Sequence, residues 1–296
     1  MFAGQIQNTA DSCHPDAERA FGPGRTLQDL MKSETDPLAF TDSPCPVGCL
    51  KSTTTKENFM LPYIGEFIGT CLLIVLGCGV VANVNLRSSG MKGGGAVMIT
   101  LAWGLAVMIP AFIFGEASGA SFNPALTIAL AVDGSFPWSK VAGYVIAQLA
   151  GAFTGGVIVW LLFKDHLDKE EDAGTKLGVF ATGPSVKNFW LNFLSEFVGT
   201  FILVFAIKGI TNVSGLAVGT DKLFVMGIIV AIGMSLGGLT GYAINPARDL
   251  GPRLAHAAMP IKGKGDSNFS YGLIVPIFAP ILGAITAVLL YGAIPW

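Results

Sequence analysis

The tripeptide Asn-Pro-Ala occurs twice in this chain, as Asn123-Pro124-Ala125 and as Asn245-Pro246-Ala247. Each copy opens an apolar segment too short to cross a lipid bilayer, over 123–132 and 245–256. The second copy is followed at once by Arg248 and Asp249, and hydrocarbon solvates such groups poorly. Irregular backbone at membrane depth is tolerated only where protein buries it or where it lines a water-filled cavity. Proline suits the first turn of a helix, where its missing N–H would have had no partner anyway, and Asn before it is a good N-cap. Each segment therefore reads as a loop followed by a half-helix that starts at Asn-Pro.

The membrane setting comes from composition. Of 296 residues, 52% are hydrophobic and 13% charged, against about a quarter charged in a soluble domain, and the mean hydropathy is +0.61. Six apolar runs are long enough to span at about 20 residues each. They fall at 61–83, 95–114, 139–163, 189–210, 223–240 and 272–292, with short joining loops except for the polar stretch 164–188. A net charge of −2 leaves no basic face for nucleic acid. Residues 1–60, rich in Asp, Ser, Thr, Pro and Gly, read as a hydrophilic, disordered extension without the apolar stretch of a secretory signal. Cys45 and Cys49 with His14 lack a second ligand pair at finger spacing, so free thiols are expected there rather than a metal.

Comparing the chain with itself reveals a duplication. "GEFIGTCLLIVLGCGVVAN" from Gly65 aligns with "SEFVGTFILVFAIKGITN" from Ser195, so that Glu66 matches Glu196 and Asn123 matches Asn245. Repeat 1 covers about 61–163 and repeat 2 about 189–292. Each repeat holds three spans, an odd number, so the second must enter the membrane from the opposite side. The expected fold is an all-α membrane protein of six transmembrane helices plus two re-entrant half-helices in an inverted repeat, with the half-helices meeting near the midplane. Each N-terminus brings about half a positive elementary charge beside an Asn carboxamide able to donate hydrogen bonds. A neutral hydroxylated molecule can replace water at that point, whereas a cation is repelled. This describes a narrow pore for uncharged solutes.

The paired boxes, with each half opening on (Gly/Ser)-Glu-Phe-(Ile/Val)-Gly-Thr, resemble the major intrinsic protein family, the aquaporins and glycerol facilitators. The resemblance covers residue 61 to the end. It implies a selectivity filter of Trp103, Gly233, Tyr242 and Arg248 on the outer side of the boxes. Water-selective relatives carry His at the position of Gly233 and a small residue at that of Tyr242. Here the glycine leaves room, and Trp103 with Tyr242 offers an aromatic corner for the carbon face of a polyol. Asp249, Pro276 and Ile277 also match the glycerol branch. Tyr242, where glycerol facilitators also use Phe, adds a hydroxyl that shifts the balance toward water. Ser121 stands where many relatives have His, so no pH gating is expected from that position.

The resemblance further implies a cell-membrane homotetramer with both termini cytoplasmic, using no cofactor and passing glycerol, water and urea. A mainly water-selective channel, an ion-coupled secondary transporter and a closed structural relative are the alternatives. Enzyme chemistry has no support, because His14, His166 and His256 are scattered and no nucleophile elbow or phosphate loop is present. Glu66 and Glu196 are expected to be structural carboxylates that accept hydrogen bonds from the loops carrying the boxes. Gly65 and Gly69, Gly151 and Gly155, and Gly237 and Gly241 are small-residue pairs expected to permit close helix crossing. His256 is expected to meet the dipole at the end of the second half-helix. The charge bias opposes the family's orientation. Lys51, Lys56, Lys140, Lys208 and Lys222 lie near inner ends. Arg87, Lys92, Lys164, Lys169, Lys176, Lys187, Arg253, Lys262 and Lys264 lie on the outer side, the reverse of the usual rule.

Overall fold

The structure, a computed structural model, describes residues 59–296. The readings made on Cys45, Cys49, His14 and nearly all of the 1–60 extension lie outside the described residues. Ten helices follow in order: α1 Leu61–Asn85, α2 Gly95–Ser118, α3 Pro124–Val132, α4 Trp138–Lys169, α5 Ala173–Phe180, α6 Phe189–Thr211, α7 Thr220–Thr240, α8 Pro246–Ala258, α9 Phe269–Gly272 and α10 Val275–Ala293. Six helical stretches are long and apolar enough to span: α1, α2, α4, α6, α7 and the pair α9–α10. The chain is a multi-pass membrane protein, and α3 and α8 are the two half-helices.

Within the polar stretch 164–188, α4 continues to Lys169 and α5 follows, capped by Asp172 accepting from the Thr175 N–H at 2.6 Å. The last span starts earlier than residue 272 and is interrupted before Val275, where Pro276 in the first turn of α10 reopens the helix.

Cross-links between loops show which helix ends share a face. At the face where α1 begins (the near face), Lys208 at the end of α6 pairs with Asp133 after α3 at 2.7 Å, and Asn212 donates to the Tyr291 hydroxyl at 2.8 Å. At the far face, Arg87 after α1 pairs with Glu171 at 2.8 Å. Beside it the Glu170 carboxylate accepts from the backbone N–H of Arg87 at 2.9 Å, and from those of Glu171 and Asp172. The Arg87 N–H leads in holding that carboxyl below its usual range.

Helix packing obeys the two-fold relation. α1 lies against α2 and α4, α6 lies against α7 and α10, and α2 meets α7 across the centre. Each half-helix packs on the third span of the other repeat, α3 on α10 and α8 on α4. Glycine allows the closest of these approaches. A Cβ at Gly151 would stand 2.1 Å from the Phe67 carbonyl oxygen, and one at Gly155 2.7 Å from that of Cys71. In the other repeat Gly283 faces the Phe197 carbonyl at 2.2 Å, a contact that the spacing of small residues had not singled out. The other two glycine pairs act differently. Gly65 and Gly69 admit Ser118 and the Phe122 ring, Gly237 lies under the Tyr242 ring, and Gly241 caps α7 at φ +85°. Large apolar side chains such as Leu101, Leu105, Phe112, Ile146, Leu162 and Leu282 point outward, as a lipid solvent permits.

Part of the far-side charge is tied into the structure. Arg253 and Lys176 are buried, and Lys176 donates to the Lys262 carbonyl. Lys264 donates to the carbonyls of His256 and Met259 at 2.8 Å and of Ala257 at 2.5 Å. Ion pairing occurs on both faces, at Arg87 and Lys164 on the far side and at Lys208 and Lys222 on the near side, so pairing alone does not remove the bias. Lys264 also takes the place at the end of α8 expected for His256, whose ring is buried and shares a hydrogen bond with Ser267 at 2.8 Å.

Replacing Gly151 with Ala is expected to force α1 and α4 apart and to lower stability by on the order of 2 kcal/mol. Ala at Gly178, around which nothing lies within 4 Å, should leave the thermal unfolding midpoint in detergent unchanged.

Candidate functional site

Both half-helices begin the same way. Asn123 and Asn245 are extended (φ −151° and −157°), and their side-chain oxygens accept from the Ala125 N–H at 2.9 Å and from the Ala247 and Arg248 N–H groups at 3.0 and 3.2 Å. Proline follows each at the first helical position. The side-chain amides then cross between repeats. Asn123 Nδ2 donates to the Ile244 carbonyl at 2.9 Å, and Asn245 Nδ2 donates to the Phe122 carbonyl at 2.8 Å. One hydrogen of each carboxamide is left without a protein partner among the described residues, and both residues line the central cavity.

The loops leading to these caps are strained. Ala120, Phe122, Tyr242 and Ile244 all have positive φ, at 52°, 47°, 38° and 45°. Such conformations cost roughly 1–3 kcal/mol each for residues other than glycine, and β-branched Ile244 is the least suited. Two fully buried carboxylates hold them. Glu66 accepts from the Ser121 and Phe122 N–H groups at 3.0 and 2.8 Å, from Ser118 Oγ at 2.8 Å and from Gln148 Nε2 at 2.7 Å. Glu196 accepts from the Ala243 and Ile244 N–H groups at 2.9 and 2.8 Å and from Thr240 Oγ1 at 2.7 Å. Gln148 also donates to Ser121 Oγ and Thr127 Oγ1, at 3.2 and 3.0 Å. It breaks the symmetry, and repeat comparison gave no sign of it because repeat 2 offers Glu196 no such partner.

The cavity between the repeats has a volume of about 230 Å³. Its lining combines the apolar side chains of Leu73, Val107, Leu126, Leu203 and Ile229 with the two asparagines and the strained loops. Thr211, Asp221 and Lys222 edge it toward the near face, since α6 ends and α7 begins there. Toward the far face stand Trp103, Tyr242 and Arg248. The Arg248 guanidinium lies 4.1 Å above the Trp103 ring, a cation–π stack, and donates to the Gly241 carbonyl at 3.4 Å. Gly233 does not border the cavity. The space its missing side chain leaves is filled by the Thr100 methyl and the Tyr242 ring, whose Cγ2 and Cζ would be 2.8 and 2.9 Å from a Cβ there. Gly77 likewise gives way to the Trp103 ring. Trp103 Nε1 and the Tyr242 hydroxyl are buried polar atoms without a protein partner among the described residues.

Asp249, next to Arg248 on α8, is fully buried, and its partner was missed in the sequence. Arg253, one turn later, is also fully buried. Its Nε and Nη2 reach the Asp249 carboxylate at 2.8 and 3.0 Å, Nη2 also reaches the Thr182 carbonyl at 2.7 Å, and Nη1 reaches the Ser267 and Asn268 carbonyls at 2.8 and 3.2 Å. All five guanidinium hydrogens are thereby used. An acid and a base four apart in a membrane-embedded segment were the available signal.

Six spans, two inverted half-helices and a cavity of mixed apolar and polar lining define the class: an inverted-repeat membrane protein built around a pore-like passage. The family model for the major intrinsic protein matches residues 53–291, and the chain belongs to that family. It is 50% identical over 232 residues to the "Probable glycerol uptake facilitator protein" of Thermotoga maritima, covering 78% of this chain and 98% of that one. It is also 50% identical over 234 residues to the "Glycerol uptake facilitator protein" of Bacillus subtilis, with 79% and 85% covered. Among solved structures, the aquaglyceroporin from Plasmodium falciparum superposes with a TM-score of 0.68 at 30% identity, covering 78% of this chain and 95% of that one.

Glu196→Gln turns an all-acceptor group into one that presents an NH2 to backbone donors, with an expected loss of about 3 kcal/mol. Glu66→Gln should cost less, because Gln148 can turn its unpaired Oε1 toward the new amide. Thermal unfolding of the two purified variants should rank them in that order.

Proposed function

We propose that this protein is a passive channel for glycerol, other small uncharged solutes and water, and that it excludes ions and protons. The observation that carries the reading is the mixed lining of the cavity. Its aliphatic side chains accompany the carbon backbone of a polyol, while the free hydrogens of Asn123 and Asn245 meet its hydroxyls. The named relatives are glycerol facilitators, which supports the same substrate class. Trp103, Tyr242 and Arg248 form the filter in this reading, with Gly233 as the vacancy into which Tyr242 folds. Arg248 has no carboxylate at ion-pair distance among the described residues. Its charge adds to the two half-helix dipoles in repelling cations.

The Tyr242 hydroxyl, which a Phe at that position would lack, adds bulk beside Arg248 and supports a substantial share for water in the flux. An ion-coupled transporter is disfavoured, because the oxygens of its matched acidic pair, Glu66 and Glu196, are taken up by loop donors. The near face is assigned to the cytoplasm, so both termini lie there, in a cell-membrane protein that assembles as a homotetramer with one pore per protomer. The residue roles are part of this proposal: Asn123-Pro124-Ala125 and Asn245-Pro246-Ala247 as the meeting point, and Asp249 as the residue that ties α8 down behind the filter.

Stopped-flow light scattering on proteoliposomes tests the reading. Glycerol permeability should stand well above that of empty vesicles, without saturation and without dependence on an ion gradient; a rate equal to that of empty vesicles would defeat it. Gly233→His should displace the Tyr242 ring and cut glycerol flux by roughly tenfold, while water flux falls less.

A further inference from the structure

Thr182 lies between α5 and α6, in the segment that joins the two repeats, and no feature of the sequence marks it. It is 6% exposed and makes three polar contacts with the second half-helix. Its N–H and Oγ1 donate to Asp249 Oδ2 at 2.8 and 2.6 Å, and its carbonyl accepts from Arg253 at 2.7 Å. Three residues on, Ser185 donates to the Leu239 carbonyl through its N–H at 3.0 Å and its hydroxyl at 3.2 Å. The joining segment is thus fixed both to α8 and to the end of α7.

The opposite side of Thr182 touches the filter's support. A Cβ at Gly241 would stand 3.2 Å from both Cβ and Cγ2 of Thr182, so the threonine's Cβ and methyl together close the open side of that glycine, and the methyl is the part a serine would lack. Gly241, in the left-handed region at φ +85°, carries the carbonyl to which Arg248 donates at 3.4 Å. Among the described residues this is the sole hydrogen bond made by the Arg248 guanidinium. The Trp103 face at 4.1 Å is its other anchor. The position of the guanidinium is therefore set by a short chain of contacts: Arg253 and Asp249 fix Thr182, Thr182 backs Gly241, and Gly241 holds Arg248.

We propose that Thr182 is a positioning residue for selectivity, and that its methyl group, backing Gly241, determines how large a polyol passes Arg248. The proposal rests on the channel reading above. The hydroxyl and the methyl have separable tasks: the hydroxyl ties the segment to Asp249, and the methyl bears on Gly241. Removing the methyl leaves every hydrogen bond of the clamp in place but frees Gly241 to relax and Arg248 to withdraw from Trp103.

The test compares Thr182→Ser with Thr182→Val in full-length protein reconstituted into proteoliposomes, reading the ratio of erythritol to glycerol permeability together with thermal stability. Serine keeps the hydroxyl and loses the methyl; the ratio should rise roughly three- to tenfold with little change in stability. Valine keeps the methyl and leaves Asp249 one donor short; the ratio should return to the wild-type value while the unfolding midpoint falls. A residue that served only stability would move the midpoint and leave the ratio alone. A serine variant with the wild-type ratio, or a valine variant shifted as far as serine, overturns the proposal. Failure of the wild-type protein to pass glycerol would instead overturn the channel reading itself.

Discussion

Two carboxylates buried in the first span of each repeat are what the centre of this molecule depends on. Glu66 and Glu196 each accept two backbone N–H groups from a loop that would otherwise be unstable at membrane depth. Those loops carry four residues other than glycine in the left-handed region, a combined strain of several kcal/mol. Hydrogen bonds to a charged acceptor are worth more than neutral ones, about 1.5–3 kcal/mol each, and the alternative for each N–H is to remain unpaired in a dry interior. The carboxylates thus offset the strain, and the strained loops bring Asn123 and Asn245 to face each other.

From that constraint the passage follows. Each asparagine carboxamide is held at both ends: its oxygen caps its own half-helix and one amide hydrogen crosses to the other repeat, so only the last hydrogen is free. A donor fixed in this way does not reorganise when a solute arrives. The aliphatic part of the lining makes no competing hydrogen bonds. A molecule carrying both hydroxyls and carbons finds a partner for each in that lining, which is the physical basis for the polyol reading. Arg248 at the constriction rests on an aromatic face and one carbonyl, so its position depends on the surrounding loop more than on a counter-ion.

The far face shows how charge in a sequence can mislead. Counting lysines and arginines per loop assumes that each one is free, yet Arg253 and Lys176 are buried and Lys264 closes the end of α8. The end of α8 leaves carbonyls that need donors, and Lys264 supplies them. Arg253 and Lys176 instead donate to carbonyls of the neighbouring loops.

Much of the architecture was legible in the order of residues. The six apolar runs, the matched Glu66 and Glu196, and the repeated Asn-Pro-Ala determined spans, duplication and inversion, because hydrocarbon allows little besides helices and because an odd number of spans must reverse direction. Local chemistry likewise placed the half-helix starts, as capping by Asn and Pro is a property of adjacent residues. What the tertiary structure alone decided are contacts between segments far apart in the chain: Gln148 beside Glu66, Thr182 and Arg253 around Asp249, and Tyr242 folded into the space left by Gly233. No period or motif encodes these, since each depends on how closely two backbones approach, and that distance is set by packing across the repeat interface.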